Sequence, residues 1–324
     1  MRNKFPDNVC NITEKDFWAS IRVPANACDA GHLKAAIKLG RAGKKARAYA
    51  ELIEWHRASL ADEWQQAQRS FEGAAPPPAK ALRDLLNHKV TCWHNLVVRF
   101  GKRIDWSAPE LPRSALCGFH YMGWLQPAVQ ALGTTGQKRY RDFLLDVLLQ
   151  YYRSARHQPR YDAIGIHPVY YSLGASAKTM RFVPLYIQLI NTGRMPAPAA
   201  EACMKLFLGF GRALQMQLRR FIAHNIITAE SRSLLQLARL FPEFKESPNW
   251  DRKAASFLYR QAREGFFRDG FHRERTTGAR RVPSGPSPGR KGPGRARRSG
   301  ARGPGSAPRH SCARRRGRRR RPWG

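Results

Sequence analysis

Apolar side chains recur at steps of three and four along most of the chain between residues 118 and 265. In "EACMKLFLGFGRALQMQLRRFI" the residues Phe207, Phe210, Leu214, Leu218 and Phe221 form one long stripe. In "KRYRDFLLDVLLQYYRSAR" Leu144, Val147, Leu148 and Tyr151 share a face, and "AESRSLLQLARLF" groups Leu234, Leu237, Ala238 and Phe241 before Pro242 stops the pattern. This period is that of a helix with one face buried. Residues 30–70 are rich in Ala, Leu, Lys and Glu, which favours helix again. Residues 82–100 read as helical or mixed, and Pro184 is expected to kink its helix or start a new turn. No segment shows convincing strand alternation. The expected body is all-α, with eight to ten helices joined by short loops, which favour antiparallel hairpins. A curved ring or layered array suits them better than four long helices.

The pattern stops abruptly. Beyond Thr276 there are ten Gly and seven Pro, sixteen Lys or Arg and no acid, with Val282 and Trp323 the only large apolar groups. Such a segment buries too little surface to offset its chain entropy, so residues 278–324 are expected to be disordered. The whole chain has 58 basic and 23 acidic residues, so the part before the tail still carries 42 against 23, about +19. That balance suits an anionic partner such as an acidic polysaccharide, nucleic acid or an anionic membrane surface.

Several classes are set aside by what is missing. The six cysteines are scattered with no CxxC pair, so neither a disulfide framework nor a metal centre is expected. No glycine loop of the nucleotide-binding kind occurs, and no cofactor is expected. No run of about 18 apolar residues exists to span a membrane. The opening "MRNKFPDNVCNITEKDFW" lacks the apolar segment of a secretory signal, so the cytoplasm is expected, or the periplasm if translation starts elsewhere.

Residues 225–274 narrow the reading. An Asn (Asn225) is followed five residues on by Glu230, then by a Leu-rich helix, the turn Phe241–Phe244 ("FPEF"), Trp250, and "DGFHRE" with Asp269, Gly270, His272 and Glu274. Upstream stand "RIDWSA", "HYMGWLQPAVQALGTTGQKRYRDF" and "VYYSLGASAKTMRF". In this order the segments resemble the N-terminal helical domain of the heparinase II/III-like polysaccharide lyases, the oligoalginate lyases among them. The likeness covers about residues 95–277. It implies an incomplete (α/α) toroid over 95–277, preceded by an N-terminal helical segment, 1–94. Members of the family cleave uronic-acid-containing polysaccharides of the heparan sulfate or alginate class by β-elimination.

The resemblance implies roles for particular residues. Asn225 would neutralise the uronate carboxylate, although an Asn opening a helix is also a common N-cap. His224 would be a neighbouring donor or an ordinary loop histidine, and His272 and Glu274 would support the site. Lys178 or Arg181 would fill the basic position of the "LGASAKTMR" element and meet a carboxylate or sulfate, or else be solvated charges. Tyr121, Trp124, Tyr170 and Tyr171 would be platforms for sugar rings, or core aromatics. Glu230 would touch substrate, pair with a base such as Arg232, or cap its helix.

Two departures stand out. Ile226 follows Asn225 where many members have His or Trp, and the family's tyrosine, expected shortly after Glu274, does not occur. In the family a β-sandwich domain follows at this point. An Arg/Gly/Pro-rich tail is what a shifted reading frame in GC-rich coding sequence would yield, which implies a truncated lyase of low or no activity. The alternative is a non-enzymatic helical scaffold whose basic tail binds nucleic acid or another polyanion.

Overall fold

The structure, a computed structural model, describes residues 10–265 and residue 268, apart from residues 26, 28, 72–74, 93–94, 159–160, 163–164, 170–171 and 219–224. Among these are twelve α-helices: α1 (Glu14–Ala19), α2 (Gly31–Arg41), α3 (Lys45–Ser59), α4 (Ala61–Phe71), α5 (Ala79–Leu86), α6 (Arg113–His120), α7 (Gln126–Thr135), α8 (Lys138–Ala155), α9 (Ser172–Asn191), α10 (Ala197–Gln217), α11 (Asn225–Leu240) and α12 (Ser247–Glu264). The described residues all fall within 1–275, which cluster as one unit.

Helix α10 holds the centre. The sequence shows a stripe, but burial continues round the helix and includes Cys203, Met204, Phe207, Leu208 and Phe210. A helix enclosed on all sides needs neighbours on all sides, and α10 packs on α3, α8, α9 and α11. Consecutive helices joined by short links pair as hairpins, α2 with α3, α7 with α8, α9 with α10 and α11 with α12. The result is the all-α partial toroid of helical hairpins that the apolar periodicity implies. The N-terminal helices contribute to the same core, because α3 packs on both α9 and α10.

Two glycines let tryptophans lie flat against helices. A Cβ on Gly40 of α2 would sit 2.2 Å from the Trp18 ring, and one on Gly211 of α10 would sit 2.2 Å from Trp250. Trp250 is fully buried and its indole N–H donates to Gln215 Oε1 at 3.0 Å, so α12 is pinned to α10 by packing and by one directed bond.

The sequence reading needs two corrections. Residues 82–100 are mixed rather than helical throughout: beyond Leu86, His88 takes a left-handed φ of +56°, and the chain enters a small hairpin of β1 (Lys89–Thr91) and β2 (Val97–Arg99). A second hairpin pairs β3 (Tyr161–Asp162) with β4 (Gly165–Ile166). Strands of two or three residues are too short to display an alternating pattern; only the buried Val90–Val98 pair marks the inner face of the first. The other correction concerns Pro184: α9 runs through it to Asn191, so it does not start a new turn. Lacking an N–H, Pro184 leaves the carbonyl of Met180 without its usual helical donor.

A polar chain ties the N-terminus to the "FPEF" turn. His56 of α3 bonds Tyr186 of α9 through Nδ1 (2.6 Å) and Glu243 through Nε2 (2.8 Å), with both rings and the carboxylate fully buried. The Glu243 carbonyl also accepts from Arg22 N at 2.8 Å, and Lys245 N donates to Ser20 O at 2.9 Å, beside a bridge between Ile21 and Phe244. Tyr, His and Glu in line resemble a proton relay. Sealed from solvent, this one is a structural tie, and burial drives the Tyr186 hydroxyl well above its ordinary pKa.

Candidate functional site

Helix α11 opens with Asn225, and Thr228, Ala229 and Arg232 follow at steps of three, four and seven, which brings all four to one face. Across from them, Leu258, Gln261 and Ala262 form the matching face of α12. With Met180 of α9 these residues line a pocket of about 530 Å³. Asn225 and Arg232 are exposed, about 10 Å apart along the helix axis at 1.5 Å per residue. The first backbone N–H groups of this sixteen-residue helix lack intrahelical acceptors, and the helix dipole adds partial positive charge at the same end. An amide, a guanidinium and a helix N-terminus on one concavity can hold an anion. The remaining walls are mostly apolar, as suits the faces of sugar rings.

Residues from three of the sequence segments meet at a second, buried centre. His120 ends α6 with its Nε2 2.9 Å from the Trp106 carbonyl, while its Nδ1 has no hydrogen-bond partner. Lys178, wholly enclosed, points its Nζ at the Pro168 carbonyl at 3.5 Å and lies 5.6 Å from the ring centres of both Tyr151 and Phe210. A Cβ on Gly174 would touch this ammonium at 3.3 Å and the Tyr121 ring at 3.4 Å, so the four groups are packed closely. Burial brings Lys178 down to about 7. Burial, with the Lys178 charge adding to it, takes His120 down to about 3, so its imidazole is neutral in ordinary buffers.

The residues singled out in the sequence therefore separate. Asn225 lines the groove of α11 and α12, whereas Lys178 stands fully buried inside the body. That corrects the reading of a solvated charge: the ε-amine is covered by α8, α10 and the chain near Pro168. Glu230 is likewise buried, at 3% exposure, below the surface of α11. Arg181 faces α7, donating to Gln126 Oε1 at 2.7 Å, and its guanidinium is lowered by burial. Trp124 stacks on Phe119 (5.7 Å, 14°), gives its N–H to the Phe119 carbonyl and lines a separate pocket with Leu85 and Pro127. Tyr121 caps α6 beside Gly174. His224, His272, Glu274, Tyr170 and Tyr171 lie outside the described residues.

Arg232 is the groove residue that sequence reasoning used only as a partner for Glu230. Its seven-residue spacing from Asn225, two turns along the same face, is the signal that finds it.

Helical hairpins packed into a partial toroid, with Asn225 and Arg232 on one concavity, define a toroidal helical domain. The chain belongs to the family described as Heparinase II/III N-terminus, whose sequence pattern matches residues 28–282. Among solved structures it is similar to the heparan sulfate lyase HepC of Pedobacter heparinus, at 20% identity and a TM-score of 0.57, over 81% of this chain and 41% of that one. A heparinase III with methylated lysines aligns at 14% identity and a TM-score of 0.60, over 81% and 42%. Another heparinase III aligns at 16% and 0.58, over 81% and 40%. The chain thus spans about two fifths of the length of these proteins. No curated protein matches it by sequence. At such identities the likeness establishes the fold. No described helix is long and apolar enough to cross a membrane.

Proposed function

We propose that this domain supplies one wall of a cleft in which uronic-acid-containing polysaccharides, of the heparan sulfate or alginate class, undergo β-elimination. In that reaction the proton at C5, alpha to the carboxylate, is removed and the bond from C4 to the bridging oxygen breaks, leaving a C4–C5 double bond. The carboxylate's own charge makes the proton poorly acidic, so the negative charge must be offset by fixed donors as it spreads into the enolate. Asn225 is assigned that role, with the first N–H groups of α11 beside it and Arg232 on a neighbouring anionic group. The exposed Asn225–Arg232 face on a concavity carries this reading.

An amide and a guanidinium neutralise charge but do not take a proton. His224 and His272 are the candidate proton carriers. As one wall of the cleft, about two fifths of the length of the solved structures it resembles, the domain is expected to turn over slowly. The test is incubation with alginate, heparin, heparan sulfate and chondroitin sulfate, following ultraviolet absorbance of the unsaturated product. Slow product from the parent and none from Asn225→Ala supports the assignment. Equal product from both, or none from either, overturns it.

A further inference from the structure

The structure holds a further concavity, about 600 Å³, that shares no lining residue with the groove at Asn225. Five cations line it: Arg22, Lys34, Lys38, Arg41 and Lys245. Ile21, Val23 and Ile37 are the other lining residues, and no acid is among them. All five basic residues are exposed. Elsewhere nearby the cations are matched: Lys45 reaches Glu201 at 2.6 Å and Glu14 at 3.3 Å, and His32 meets Glu51 at 2.7 Å. Among the described residues, none of the five groove cations forms an ion pair.

Their backbone positions are set by regular structure on both sides. Lys34, Lys38 and Arg41 follow one face of α2, spanning about 10 Å along its axis. Arg22 and Lys245 are held on the facing side by the backbone bonds Arg22 N to Glu243 O and Lys245 N to Ser20 O, next to the Ile21–Phe244 bridge. Like charges one turn apart on a helix repel one another, so a row with no counter-charge is unfavourable until an anion arrives. The facing rows are suited to a linear chain bearing anionic groups along its length. The lining has no aromatic side chain on which a base would stack, which favours an acidic saccharide over single-stranded nucleic acid.

We propose that this groove is an anionic-polysaccharide binding site apart from the elimination site, one that holds an acidic stretch of the polymer while another is at Asn225. The inference rests on the polysaccharide reading above for its partner, though not for its location. Its test is binding of fluorescently labelled, size-defined heparin and alginate oligosaccharides to the full chain across a salt series, with an RNA of equal charge in parallel. The variant is K34Q/K38Q/R41Q, and K15Q/R69Q/K80Q removes the same charge from exposed sites elsewhere. Thermal melting checks that both fold as the parent does.

The groove variant is expected to lose at least about tenfold in saccharide affinity and to show a shallower salt slope, while the control loses less than about twofold. Equal losses in both variants overturn the site in favour of diffuse charge. An RNA that binds more tightly than either saccharide, through the same three residues, overturns the saccharide as partner. Saccharide binding that vanishes with Asn225→Ala and ignores the groove variant overturns the second site and leaves the elimination reading standing. Saccharide affinity lost only in the groove variant, with no unsaturated product from the parent, supports the groove and removes the elimination reading.

Discussion

Replacing Lys178 by Met should make this protein more stable. The ε-amine is fully enclosed, and its hydrogen bond to the Pro168 carbonyl, at 3.5 Å, is at the outer limit of such a contact. Burial lowers the amine from 10.5 to about 7. A difference of that size corresponds to roughly 4–5 kcal/mol of penalty on the charged form at neutral pH, at about 1.4 kcal/mol per unit. The rings of Tyr151 and Phe210 offset about 0.5–1 kcal/mol each. The carbonyl contact offsets less than about 1 kcal/mol. Desolvation wins, and Lys178→Met, close in volume, should gain about 2–4 kcal/mol near neutral pH.

The pH dependence follows from the same shift. Between about 7 and 10.5 the unfolded lysine holds a proton that the folded one has lost, so parental stability rises with pH through that window and levels off below it. The variant lacks that rise, so its advantage should shrink by as much as about 1.4 kcal/mol per pH unit above 7. Urea unfolding of both proteins at about pH 6, 7, 8 and 9, with equal slopes, reads the difference directly. Parallel stability curves, or a variant less stable than the parent at the lowest pH, would refute the reasoning.

Further outcomes can be checked in the same preparations. Asn225→Ala should lower the rate of unsaturated-product formation by about 100-fold or more, as expected for loss of one preorganised donor, while the melting temperature falls by no more than about 2–4 °C. Glu243→Ala leaves His56 without its carboxylate and should cost about 1–3 kcal/mol in urea unfolding, whereas a stability equal to the parent's would show the tie to be idle. Gly211→Ala drives a Cβ to 2.2 Å from the Trp250 ring and should cost about 1–3 kcal/mol, with a shift in tryptophan fluorescence as the indole gives way. His120, already lowered to about 3, keeps the folded protein from binding a proton that the unfolded chain takes up below 6.5; stability should fall as pH drops through that interval, and His120→Gln should flatten the fall.

Much of the helical layout is legible from apolar spacing alone. The stripe Leu234–Leu237–Ala238–Phe241 places α11, and Pro242 stands just past its last residue, Leu240. Asn225 is legible as the residue that opens α11, from its place before a Leu-rich run, and Arg232 is reachable by counting two turns onward. His56, Tyr186 and Glu243 are not legible as a set, because 130 and 187 residues separate the bonded partners and no local pattern links them. The short hairpins escape notice because two or three residues cannot reveal a period.

Local periodicity and turn chemistry determine helices here because they act between residues a few positions apart, which is information the linear chain carries in full. Burial and charge environment are set by what arrives from distant segments. Lys178 looks like any surface cation in "ASAKTM", and only the arrival of Tyr151 from α8, Phe210 from α10 and the Pro168 carbonyl removes it from water and changes its chemistry. Equally, five cations spread from Arg22 to Lys245 become one groove only when α2 and the bridge between Ile21 and Phe244 are brought side by side.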